Sequence, residues 1–341
     1  MRRGSLVTTI ASGVLALVLL IVLINVSRVD VAQLLRLLAD ARLVPFLALV
    51  ALTGMHVAFA AEKWRLVERR IASDTEHSRR LCFSFTAIGT AAGQILPMQL
   101  ATALARSLGV HIAIGRGAAR GAVASVFEQM FDLAVIALCG LVSLFCLWRR
   151  ELAWWPAGVA IAIAAAWISA GPMVRAAASA AQRLATARSI TGVMGGRIGR
   201  FSRALADSGL FDERLTRRLL VLSVFRFLVL WLMTLATTQT AGLNISGGQL
   251  AAALPLVGLA TTVAVTPGGL GVNEWTFAAA LTAFGVDFEI ATQCALINRV
   301  LATVAAMVIG AAGLVLAHVV GKSAASLPPS PVAQEPSTRA L

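Results

Sequence analysis

Glu128 and Asp132 stand four residues apart inside a long apolar run, residues 117–148. On a helix this spacing stacks the two carboxylates on one face. Stacked acids repel unless a cation or a shared proton intervenes. The pair therefore suits ion-paired or protonated work, or a general acid and base. Arg226, two turns into its own apolar run, is the natural partner, and Arg106 is another. A charge at the bilayer centre costs roughly 2.5–3.5 kcal/mol on insertion scales, so intramembrane charges are candidates for function. The competing reading has Glu128 reaching only the inner headgroups and Arg226 snorkelling along its stem.

The second constellation is built on a break. Thr266-Pro267-Gly268-Gly269-Leu270-Gly271-Val272-Asn273-Glu274-Trp275 interrupts an apolar stretch with one Pro and three Gly. Lipid offers no partner for freed backbone groups, so a broken helix at membrane depth survives only where protein or water lines it. In transporters such breaks mark substrate sites. Thr266, Asn273, Glu274, Asn298 and Arg299 gather around this break and the last apolar run, and Glu274 and Arg299 are expected to pair near the outer boundary. The competing reading is a structural ion pair that only closes the protein. A second break at Gly93 and Pro97 carries Gln94, Gln99 and Thr102, which either line a path or satisfy the broken backbone.

The elements that position these residues are membrane helices. The chain has 341 residues, 58% hydrophobic and 13% charged, with a mean hydropathy of +0.84. A soluble domain carries about 25% charged residues. Net charge is +13. In a soluble protein that would suggest nucleic acid, but here the Arg residues lie between apolar runs, as in cytoplasmic loops of a membrane protein. No nucleic-acid partner is expected. Cys82, Cys139, Cys146 and Cys294 lie in or beside apolar runs without metal spacing and read as small core residues. No P-loop, GxSxG or zinc spacing is present, so neither a cofactor nor an enzymatic activity is expected.

Long apolar runs cover 5–26, 43–61, 117–148, 152–171, 218–241 and 288–318. Each suits a span of about 20 residues. The run at 5–26 is too long for the apolar part of a signal peptide and reads as a retained first span. Two interrupted regions, 81–114 and 249–286, have halves too short to cross comfortably and read as re-entrant hairpins, with pairs of short spans as the alternative. Loop 62–80 holds six Lys/Arg and loop 171–218 nine Arg. Both are cytoplasmic only if 81–114 contributes an even number of crossings. Both termini are then cytoplasmic too. The order span, span, hairpin, span occurs twice with opposite orientation, which is an inverted repeat.

The expected fold class is therefore all-α: a polytopic helical membrane protein with about six full spans and two broken hairpins. Residues 1–320 form one integral membrane domain with inverted halves near 5–148 and 152–320, and 321–341 form a disordered cytoplasmic tail. Val29–Arg42 reads as an interfacial amphipathic helix with Val31, Leu34, Leu35 and Leu38 on one face. Val174–Leu184 and Ile198–Leu205 read as weaker amphipathic segments on the inner leaflet.

Pro267-Gly-Gly-Leu-Gly-Val-Asn-Glu274 is similar to the PGGLGxxE signature of the lysylphosphatidylglycerol synthase transmembrane region family, also called flippase-like. Glu62-Lys-Trp-Arg65 resembles its RWR-type element, Glu128-Gln-Met-Phe-Asp132 its ERxxD element, and Leu96-Pro97 with Arg106 its first hairpin. The resemblance covers residues 5–320. Gln129 stands where the family has Arg, and Asn273 where Arg is frequent. The resemblance implies a bacterial inner-membrane lipid translocase, without identifying the lipid. Membrane lipids are the expected partners. The substrate-facing residues would be Arg106, Glu128, Asp132, Arg226, Asn273, Glu274, Asn298 and Arg299. The helix breaks would be at Pro97, Pro267, Gly268, Gly269 and Gly271. Rival readings are a lipid-modifying membrane enzyme using Glu128 and Asp132, and a scaffold whose partners are lipid-synthesis enzymes.

Overall fold

A chain in lipid must satisfy its backbone internally, and the described residues do so with helices alone. The structure, a computed structural model, describes residues 3–71, 78–114, 118–186, 210–263 and 266–325. In order the helices are α1 (Arg3–Ser27), α2 (Val31–Ala39), α3 (Leu43–Ile71), α4 (Arg79–Ala92), α5 (Met98–Ile114) and α6 (Ala118–Arg149). They continue with α7 (Trp155–Thr186), α8 (Glu213–Thr240), α9 (Gly247–Val263), α10 (Val272–Ala283) and α11 (Phe288–Ala325). Among them α3, α6, α7, α8 and α11 are long and apolar enough to cross a membrane, and α1 with α2 adds a sixth if that pair is counted as one span.

Two of the basic stretches are shorter as loops than the sequence suggests. Helix α3 runs on to Ile71, so Glu62–Arg70 is helical and buries Lys63 and Arg65. The apolar run ends at residue 61, but the helix does not, because ion pairing carries it further. Helix α7 likewise continues through Pro172 to Thr186. Val174–Leu184 thus extends a span rather than forming a separate interfacial helix, while Ile198–Leu205 lies outside the described residues. At the C-terminus α11 reaches Ala325, so residues 321–325 of the expected tail are helical, and 326–341 lie outside the described residues.

Helix α2 turns by 99° from α1, with Asp30 as its N-cap, the carboxylate accepting from the Ala32 N–H at 2.8 Å. Leu34, Leu37 and Leu38 contact the cluster of Leu49, Ile297 and Leu301, whereas Val31 and Leu35 are exposed. The bend sets which leucines meet the protein.

Both interrupted regions are antiparallel helical hairpins. In the first, a Cβ on Gly89 would stand 3.0 Å from Thr102 Cα, and Gly109 packs on Phe85, so α5 returns along α4. In the second, Gln249 at the start of α9 donates to the carbonyl of Phe284 just past α10 at 3.0 Å. The two hairpins lie along opposite halves of α11. Gly310 and Gly313 face Ala91 and Ala87 of α4, a small-residue contact that lets backbones approach. At the other end Ala291, Cys294 and Ala295 pack with Phe277, Ala278 and Leu281. The hairpin tips meet at Arg299, between these two contacts.

Candidate functional site

The first polar cluster is assembled by four helices. Glu128 and Asp132 project from α6, Lys63 and His56 from α3, Arg106 from α5 and Arg226 from α8. Arg106 Nη1 lies 2.5 Å from Glu128 Oε1. It also bonds Ser125 Oγ and Thr86 Oγ1, and the carbonyl of Ala60 at 3.1 Å. Its guanidinium stands 5.3 Å from the Trp64 ring centre. Lys63 Nζ bridges the two acids, 3.0 Å from Glu128 Oε2 and 2.5 Å from Asp132 Oδ1, and donates to Ser223 at 2.9 Å. Arg226 Nη1 pairs with the other oxygen of Asp132, and its Nε donates to His56 Nε2 at 3.0 Å.

The two stacked acids are thus held apart by cations. Three cations (Lys63, Arg106, Arg226) face two carboxylates (Glu128, Asp132), which leaves one positive charge in excess. Burial is graded along the cluster. Lys63, Arg106 and Glu128 are closed off, whereas Asp132 and Arg226 keep 15% and 21% exposure of their side chains. Arg226 lies about 20 Å from either end of α8 at 1.5 Å per residue, so this open end of the cluster is near mid-helix. Both partners expected of the acids are present, divided one to each carboxylate. Lys63 and His56 were not singled out from sequence. The signal available for Lys63 was its place inside the Glu62–Arg65 element directly after an apolar run.

The second cluster is where the hairpin tips meet. Arg299 Nη1 donates to the carbonyl of Gly268 at 2.8 Å and Nη2 to that of Gln94 at 3.1 Å. Thr303 Oγ1 adds a bond to Gln94 Oε1 at 3.2 Å. One side chain of α11 thereby satisfies a freed carbonyl from each break. Gly268 has φ +57, and a Cβ there would fall 2.7 Å from Arg299 Nη2 and still closer to the Gln94 oxygen. Only glycine combines that backbone with that approach. Gly271, with φ +81, abuts Leu19 of α1, and Trp275 Nε1 donates to the Leu19 carbonyl at 2.8 Å.

Glu274 caps its own helix, Oε2 accepting from the Gly271 N–H at 2.6 Å. Its Oε1 lies 3.6 Å from Arg299 Nε. The expected pair is therefore adjacent, but Arg299 spends its hydrogen bonds on the two carbonyls. Arg299 lies about 16 Å along α11 from Phe288, the start of that helix. Glu274 Oε1, Thr266 Oγ1 and Asn273 Oδ1 are buried without a hydrogen bond. Asn298 is half-buried beside Arg299. A cleft of about 40 Å³ lies at the junction, lined by Gln94, Pro97, Gln99, Gly268, Asn273 and Arg299 among others. A water needs ~10–15 Å³ by this measure, so a few waters fit.

Long apolar helices around two broken hairpins, with buried charge at the tips and on one side, define a multi-pass integral membrane protein with a polar interior. The chain belongs to the family described as Lysylphosphatidylglycerol synthase TM region, which matches it over residues 9–310. Comparison with curated proteins and with solved structures gives no match. The likeness carried by Pro267–Glu274 is thus membership of the family itself.

Proposed function

We propose that the protein moves a lipid, or its headgroup, between the leaflets of the bacterial inner membrane. The observation that carries this reading is the meeting of the two hairpin tips at Arg299, a charged side chain inside a long apolar helix. Broken backbone inside a membrane is costly unless protein or water lines it. Here Gln94, Gly268, Asn273 and Arg299 line a cleft, and Asn273 Oδ1 is buried without a hydrogen bond. The headgroup follows the polar interior while the acyl chains stay in the bilayer.

In this reading Arg106, Glu128, Asp132 and Arg226 serve one part of the route, and Asn273, Glu274, Asn298 and Arg299 another. Both termini are cytoplasmic, and the halves near 5–148 and 152–320 are inverted copies. No chemical step is assigned. Glu128 and Asp132 are engaged by Lys63, Arg106 and Arg226, a state that suits electrostatic holding better than proton transfer.

Reconstitution tests the reading. Purified protein in liposomes receives phosphatidylglycerol and phosphatidylethanolamine with fluorescent acyl chains. Leaflet exchange is followed by quenching, and extracted lipid is weighed by mass spectrometry. Exchange with unchanged mass is expected. A new lipid mass would make the protein an enzyme, and neither exchange nor product would leave it a scaffold.

A further inference from the structure

Away from both clusters, a cleft of about 340 Å³ opens between α3, α7 and α8. Its wall is apolar, made by Leu66, Val221, Leu222 and Trp167, and its rim carries Arg217, Arg218 and Glu62. Two of the rim charges are already matched. Glu62 pairs with Arg65, and Arg217 pairs with Glu213 at 2.6 Å. Arg218 is exposed, and its side chain has no ion pair or hydrogen bond among the described residues. Arg217 leans over the Trp167 ring at 5.4 Å, and its Nε is buried with no hydrogen bond. The rim thus offers one unmatched, exposed guanidinium beside an apolar wall.

We propose that this cleft binds an anionic phospholipid. The phosphate accepts from Arg218, since guanidinium groups make charge-assisted bonds to phosphate. The first part of an acyl chain lies on Leu66, Val221 and Leu222. The volume falls at the lower end of ligand sites, ~300–1,000 Å³, and suits a headgroup with part of a chain. Charge complementarity selects an anionic lipid over a zwitterionic one, because the rim keeps an unbalanced positive charge.

The position gives the site a purpose that rests on the translocation reading. Along α3 the order Leu66, Glu62, Phe59, His56 runs at helical spacing, as does Arg218, Leu222, Phe225 along α8, where Arg226 is the next residue. Phe59 and Phe225 stack with ring centres 6.0 Å apart. They stand one turn beyond the cleft; Phe59 is one turn from His56, and Phe225 adjoins Arg226, which reaches His56 and Asp132. A lipid bound here waits at the door of the first ion cluster.

Native mass spectrometry of the detergent-purified full chain, given equal dioleoyl-phosphatidylglycerol and dioleoyl-phosphatidylcholine, tests the site. Wild type should retain phosphatidylglycerol preferentially. Arg218→Gln should lower its occupancy about tenfold and leave phosphatidylcholine unchanged, as expected for one charged hydrogen bond. Arg214→Gln, exposed one turn earlier on α8 but away from the cleft, should change neither. Equal losses in the two variants would mean attraction to surface charge alone, and equal retention of both lipids by wild type would mean no headgroup recognition; either overturns the proposal. Binding that depends on Arg218 without leaflet exchange in liposomes would sink the translocation reading and leave this site standing.

Discussion

Arg299 Nη2 donates to the main-chain carbonyl of Gln94 at 3.1 Å, which ties the last helix to the tip of the first hairpin. The same guanidinium holds Gly268 of the second hairpin. The two breaks therefore share one donor. Arg299→Gln should lose that double clasp and reduce leaflet exchange by about tenfold or more, since hydrogen bonds to a charged group are worth ~1.5–3 kcal/mol each. Glu274→Gln should cost less, because an amide oxygen can still accept from the Gly271 N–H. The exchanged pair, Glu274→Arg with Arg299→Glu, should not recover activity, as a carboxylate cannot donate to two carbonyls. Recovery in a proteoliposome assay would show that pairing, and not clasping, is what matters.

The first ion cluster predicts a stability effect. Arg106 is fully buried and serves Glu128, Ser125, Thr86 and the Ala60 carbonyl. Arg106→Gln should destabilise by about 3–5 kcal/mol, because Glu128 is left with fewer partners in a dry site. Glu128→Gln added to it should cost less than the sum of the two single changes, which is the mark of direct coupling. Thermal unfolding midpoints of the four proteins in detergent measure this, and strict additivity would contradict it.

The contact between α4 and α11 rests on Gly310. A Cβ there runs into the Cβ of Ala91. Gly310→Leu should push α4 away at a cost of about 1–3 kcal/mol, as overpacking usually does. It should also separate Gln94 from Arg299. An unchanged melting temperature together with unchanged leaflet exchange would show that the first hairpin is not held in this way.

Topology is checked by labelling. With the four native cysteines replaced, Ile190→Cys should react with an impermeant maleimide only after the membrane is opened, and Asp287→Cys should react from outside. The basis is the nine Arg of residues 171–218, which favour the cytoplasm. Labelling of position 190 in intact cells would invert the orientation and remove the argument for an inverted repeat.

The breaks were legible in the sequence because Pro97 and Pro267-Gly268-Gly269 violate helix chemistry in apolar surroundings. Glu128 and Asp132 were legible because intramembrane charge is rare. Lys63 was not. It follows an apolar run and precedes several arginines, so it reads as the start of a basic loop, yet α3 carries it into the core to meet both acids. His56 gave no signal either, since a single His in an apolar run is compatible with many environments. The meeting of both hairpin tips at Arg299 also escaped, because it depends on where the tips reach along α11. That is fixed by the small residues of Gly310, Gly313, Ala87 and Ala91, a pattern that carries meaning only once the helices are paired.

The account stands most directly on the rate at which lipid changes leaflet in proteoliposomes of wild type and of Gly268→Ala. The added methyl meets the Gln94 carbonyl and Arg299, at a residue whose backbone is already left-handed. Fluorescent phospholipid is placed in both leaflets, and an impermeant reductant is added outside. Wild-type vesicles should lose nearly all of the signal, with the lipid chemically unaltered. Vesicles with correctly inserted Gly268→Ala should retain the inner-leaflet half, like vesicles without protein. Wild type no faster than empty vesicles, or Gly268→Ala as fast as wild type, would contradict a lipid route through the meeting hairpins.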